Sequence, residues 1–136
     1  RRKSKTMSTL QVGTIKSASS AAPVFQNSSG VEKGQLCKLW LDYNGSTNTI
    51  LDDFNVSTVG DDGTGLYTVN WSNSAANVNY CPVFGSIHTS GVVLSRGAIR
   101  DPGQVTKSTS SFRLEVFNTA GANVDVNRVN VACFGA

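Results

Sequence analysis

The fold class that this sequence predicts is all-β, an antiparallel β-sandwich of about seven or eight short strands preceded by an extended amino-terminal arm. Three observations carry the prediction. Apolar residues recur at every second position in several short runs, the period of a strand with one buried face: Cys37, Leu39, Leu41 and Tyr43; Tyr67, Val69 and Trp71; Phe112, Leu114 and Val116; Val129, Val131 and Cys133. Between the runs lie clusters of Gly, Asn, Asp, Ser and Thr, such as Gly60-Asp-Asp-Gly-Thr-Gly65, which join strands in hairpins. No stretch of useful length has helical periodicity, and a chain with 15% charged and 39% hydrophobic residues suits a turn-rich β domain. At 136 residues the chain is long enough for one domain to bury roughly two thirds of its unfolded surface.

In chain order, residues 1–34 read as the arm. They are basic at first, then rich in Ser, Ala, Asn and Gly, with too little apolar surface for a core of their own. A short strand is expected over Leu10–Ile15. Leu10, Val12, Ile15 and Phe25 are the residues with which the arm would grip a neighbouring subunit or docking partner. The sandwich is expected over residues 35–136. Its first strand, Leu36–Tyr43, turns Trp40 away from the core, where it is either covered by another element or free to make a contact. Asn44-Gly45-Ser46-Thr47-Asn48 is a turn, and Ile50-Leu51 reopens a strand leading to the hairpin at its centre. There Phe54 and Val56 are expected to share the inner face on one side of the Gly-Asp linker, and Tyr67, Val69 and Trp71 on the other. Pro82 demotes Tyr80–Phe84 to an edge strand or a bulged one. Residues 85–110 are glycine-rich and polar, the least core-like part of the domain, and loops of this kind often hold recognition residues.

Charge excludes one class of partner. The net charge is +3, and Arg1, Arg2, Lys3 and Lys5 supply 4 positive charges, so the rest of the chain carries 3 minus 4, or −1. The cations beyond the start are scattered and form no basic patch with interleaved aromatics, so no nucleic-acid partner is expected. No apolar run of some 18 residues is present and no apolar stretch follows the basic start, so neither membrane insertion nor a secretory signal is expected. Cys37, Cys81 and Cys133 have no metal-site or disulfide spacing, and each lies in an apolar run, so all three are expected as small buried hydrophobes.

Catalysis needs several titratable groups brought together, and this sequence has one histidine. His88 with Asp101 as its orienting partner is weaker than an exposed loop histidine. Asp61 and Asp62 read as turn residues bonding their own backbone rather than as ligands of a cation. No catalytic residue, metal or other cofactor is expected. For binding, Trp40, Tyr43, Trp71 and Phe117 are the aromatic candidates, with core positions expected for most. The receptor-contact residues expected are His88, Arg96, Arg100 and Trp40.

Several short motifs then carry a resemblance. Phe54-Asn-Val-Ser-Thr-Val, Asp62-Gly-Thr-Gly, Tyr67-Thr-Val-Asn and Asn79-Tyr80 resemble, in that order, a pattern of bacteriophage tail-fibre and related virion proteins, particularly marine and cyanobacterial ones. Met7-Ser-Thr-Leu-Gln-Val, Ala22-Pro-Val-Phe-Gln-Asn-Ser-Ser-Gly, Leu39-Trp-Leu-Asp-Tyr-Asn-Gly and Val129-Asn-Val-Ala-Cys-Phe-Gly are similar to flanking segments of the same family. The resemblance implies a non-enzymatic component of the virion, assembled in the host cytoplasm as a homotrimer. Its arm would engage other virion proteins of the tail or capsid, and its β domain would meet a host-surface glycan or protein. The absence of an extended shaft favours a short fibre, knob or spike. A capsid decoration protein whose arm clamps capsomers, or a carbohydrate-binding module, are the rival expectations.

Overall fold

The computed structural model describes residues 12–15, 24–87, 96–98 and 107–135. The chain divides into two compact units, Arg1–Leu36 and Cys37–Ala136.

In the first unit, β1 (Val24–Gln26) pairs antiparallel with β2 (Glu32–Gln35). Asn27 forms the turn between them, its Oδ1 accepting from the backbone of Ser29 at 3.0 Å and of Val31 at 2.9 Å. Such side-chain caps are why Asn favours turns. Phe25 and Val31 remain exposed on this hairpin. The strand expected over Leu10–Ile15 does not form where the structure describes it. Residues 12–15 pair with no strand among the described residues, and Val12 and Ile15 are exposed; Leu10 lies outside the described residues.

The second unit is two antiparallel four-stranded sheets, as its alternating runs predict. Sheet one runs β4 (Thr49–Phe54), β3 (Leu39–Asn44), β10 (Arg128–Phe134), β7 (Cys81–Ile87). Sheet two runs β5 (Val56–Gly63), β6 (Leu66–Trp71), β9 (Ser111–Phe117), β8 (Arg96–Ala98). No helix occurs among the described residues. Pro82 sits on β7, an edge of sheet one, where its missing N–H costs no ladder bond on the open side.

The inner faces meet in one core. Leu39, Leu41, Tyr43, Val129, Val131 and Cys133 come from sheet one, and Val56, Tyr67, Val69, Trp71, Phe112, Leu114 and Val116 from sheet two. Tyr43 meets Tyr67 edge to face with ring centroids 5.3 Å apart, and Trp71 meets Tyr80 in the same way at 5.0 Å. Such edge contacts set a positive ring edge against a negative ring face.

The central hairpin departs from expectation at its start. Phe54 and Val56 do not share a face: Val56 is buried and Phe54 is 51% exposed. The chain leaves sheet one at Phe54 and enters sheet two at Val56, and Asn55 makes the corner with φ at 63°. Asn tolerates this left-handed conformation better than most residues because its short side chain bonds locally. Here its Nδ2 donates to the carbonyls of Lys38 at 3.0 Å and Asn73 at 3.1 Å, while its Oδ1 accepts from the Asn73 backbone at 2.8 Å.

At the other end of the sandwich, glycine is required twice by close approach. A Cβ on Gly45 would stand 2.3 Å from the Tyr67 hydroxyl, and one on Gly65, at φ 66°, would stand 2.4 Å from the Val116 carbonyl. Asp125 ties this end together, its Oδ1 accepting from Gly65 N at 2.7 Å and from the Tyr67 hydroxyl at 2.9 Å.

Candidate functional site

The outer face of sheet one has the composition of a binding surface. Register places Val83 opposite Ala132, Ala132 opposite Trp40, and Trp40 opposite Phe54, a single row across all four strands. Val83 is 55% exposed, Trp40 38% and Phe54 51%. Cys81 and Phe134 are paired one step further along and are also exposed. An apolar row of this extent on an open sheet face is where partners dock.

The next row along the strands is polar. Gly85, Asn130, Asp42 and Asp52 are register partners in sequence across the sheet. Arg128 Nη1 donates to Asp42 Oδ2, and the other oxygen, Oδ1, has no hydrogen-bond partner among the described residues. Asp52 Oδ1 accepts from the Asp53 backbone at 2.9 Å. With Asp42 and Arg128 offsetting one another, Asp52 leaves this polar row with a negative bias. Gly85 contributes no side chain and leaves a shallow dip beside Asn130.

Of the receptor-contact residues expected from sequence, the structure places Trp40 on this face. It is accessible, and the other strand positions around it supply its neighbours. Arg96 lies on the backbone of β8, in the other sheet. His88 and Arg100, and Asp101 with them, lie outside the described residues, so the pairing of His88 with Asp101 does too. Tyr43 and Trp71, weighed as stacking platforms, are core residues. Asp61 performs as a turn residue, its Oδ1 accepting from Gly63 N at 3.0 Å, and Asp62 Oδ2 accepts from Thr68 Oγ1 at 2.5 Å and from Arg113 at 3.1 Å.

The expectation that all three cysteines are buried fails for two of them. Cys133 is buried, Cys37 is half-buried, and Cys81 is exposed because it shares the outward parity of Val83. Burial pushes the Cys133 thiol up to about 12, with the neighbouring Cys37 and Cys81 adding to the shift.

Phe54, Val83 and Phe134 escaped the sequence reading. In Cys81-Pro-Val-Phe84 every position is apolar, so alternation does not say which side faces out. Phe54 needed the corner at Asn55 to be seen. One signal was available: Phe134 lies next to Cys133, a residue of opposite parity already given to the core.

No protein family matches the sequence, and no curated protein matches it. Among solved structures the chain is similar in fold to the phiAB6 tailspike, crystallised with three-repeated oligosaccharides of the Acinetobacter baumannii surface polysaccharide. The TM-score is 0.51 and the identity 16%, over 92% of this chain and 30% of the tailspike chain. The likeness is one of fold, and it gives the class: an antiparallel two-sheet domain of the kind found within a phage tailspike. The chain spans under a third of the length of the protein it matches.

Proposed function

We propose that the chain is a bacteriophage virion structural protein, part of a short tail fibre, knob or spike that attaches the particle to a polysaccharide of the host surface. The exposed Trp40–Phe54 pair, on a fold similar to part of a tailspike, is the observation that carries this reading. The motif resemblance to tail-fibre proteins supports it independently, and the marine and cyanobacterial affiliation rests on that resemblance alone. In this reading the protein is a non-enzymatic homotrimer. Val12, Ile15 and Phe25, exposed on the first unit, engage a neighbouring subunit or virion protein together with Leu10.

The test is immunogold labelling of purified particles with antibody against residues 37–136. Gold at the tail tip is expected. Gold confined to the head would defeat the tail reading and establish a capsid decoration protein instead. Incubation with host polysaccharide is expected to leave its chain length unchanged. Shortening that His88→Ala abolishes would make the protein an enzyme.

A further inference from the structure

We infer that the row Val83, Ala132, Trp40 and Phe54 is the seat of an uncharged glycan, laid across the strands with its sugar faces on the two aromatic rings. This rests on the proposed attachment role and adds the location of the site and the charge class of its ligand.

Size separates the two occupants that an apolar sheet face suits. Val83, Trp40 and Phe54, at 55%, 38% and 51% exposed, present on the order of 300 Å2 of accessible surface between them. A specific contact between proteins takes about 800 Å2 of accessible surface from each partner. The row alone falls well short of what a second copy needs, whereas a glycan a few rings long can be covered by it.

Chemistry agrees with size. A sugar ring offers apolar C–H faces and a rim of hydroxyls, so it needs aromatic surface with hydrogen-bonding groups beside it. Trp40 and Phe54 are directly opposed on neighbouring strands, which sets their Cβ atoms about 4.5–5.5 Å apart and puts two separate exposed rings on one row. β3 is an inner strand, held on both sides, so the indole stands on rigid backbone. The polar row lies two residues away, about 7 Å, within reach of hydroxyls at the rim. Asp52 and Asn130 supply an acceptor and an amide there, while Asp42 is held by Arg128 with its Oδ1 buried.

The same row sets the charge of the ligand. Arg128 is committed to Asp42, and Asp52 is exposed, so a carboxylate or phosphate on the side of the glycan that faces the polar row would meet net negative charge. An uncharged glycan escapes this repulsion, and its binding depends little on salt.

The test applies the full chain to an array carrying neutral glycans beside uronate-, sialate- and phosphate-bearing ones, followed by titration calorimetry on the strongest hit. Neutral glycans are expected to dominate, with affinity changing by less than about twofold between low and high salt. Trp40→Ala and Phe54→Ala are each expected to weaken binding about tenfold or more, while Trp40→Tyr keeps most of it because a ring remains. Arg113→Ala, on the opposite sheet, is expected to change nothing. Thermal melts of the variants guard against misfolding, since neither ring belongs to the core. Hits restricted to acidic glycans, or binding indifferent to both alanine variants, would overturn the inference and leave the attachment role standing. Binding to no glycan would overturn both. Loss of the oligomer on Trp40→Ala would make the row an interface between copies and overturn the inference alone. Gold at the head with the expected array result would overturn the tail location and leave the glycan seat standing.

Discussion

The two outer faces of the sandwich obey the same alternation and carry opposite surfaces. On sheet two, Thr58, Thr68, Asn70 and Arg113 face outward and bond one another. Asn70 Nδ2 donates to Thr58 Oγ1 at 3.0 Å, and Arg113 Nε donates to Thr68 Oγ1 at 3.2 Å, with Asp62 accepting from both Thr68 and Arg113. Among the described residues, these polar side chains of β5, β6 and β9 satisfy one another. On sheet one the corresponding positions are Val83, Ala132, Trp40 and Phe54, an apolar row whose large side chains are exposed. Alternation decides which residues leave the core; their chemistry decides whether anything is meant to cover them.

Both faces lean on the same interior, and the largest expected effect breaks both together. Trp71→Ala is expected to destabilise the domain by about 3–5 kcal/mol in chemical denaturation, because it empties the contact with Tyr80 and Phe112 at the middle of the core. A loss below 1 kcal/mol would show that the two sheets do not share that core.

Next comes the response to alkali. Burial raises the Tyr80 phenol from 10.0 to about 12 and the Cys133 thiol from 9.0 to about 12. Between pH 9 and 12 the unfolded chain therefore holds fewer protons than the folded one. The stabilisation is fully present below pH 9 and is lost as pH rises towards 12. Urea midpoints should fall steadily over that range, and Cys133→Val should make the decline shallower. A flat profile would contradict the burial of these two groups.

Asp125→Ala sharpens the comparison from the loop end, where it leaves Gly65 N and the Tyr67 hydroxyl without their acceptor. A loss of about 1–3 kcal/mol is expected, of the same size whether or not a glycan is present. The smallest effects are at the rims. Arg113→Ala and Arg128→Ala remove ion pairs whose arginines are 45% and 46% exposed, one on each face, and each is expected to cost under about 1 kcal/mol. Only Arg128→Ala, which frees Asp42 beside the aromatic row, should alter ligand preference.

How much of this was legible follows from what alternation can encode. Where an apolar residue recurs at every second position, as in Leu39–Tyr43, Tyr67–Trp71 and Val129–Cys133, strand, inner face and core were all readable. Pro82 announced an edge. The corner at Asn55 was hidden because Phe54-Asn-Val-Ser alternates without interruption across it. Only the side-chain bonds of Asn55 to Lys38 and Asn73, 17 and 18 residues away, reverse the face between Phe54 and Val56. The site was half readable. Trp40 stood out as a large ring at a polar parity, but its companions come from β4, β7 and β10, and the order β4-β3-β10-β7 that aligns them is long-range pairing, which no local pattern records.

The most direct test of the central claim is hydroxyl-radical footprinting of the intact chain with and without polysaccharide from a susceptible host. Protection at Trp40, Phe54 and Phe134, with unchanged labelling of the outward residues of β6 and β9, is the predicted result. Protection confined to sheet two, or none on either face, would contradict the account.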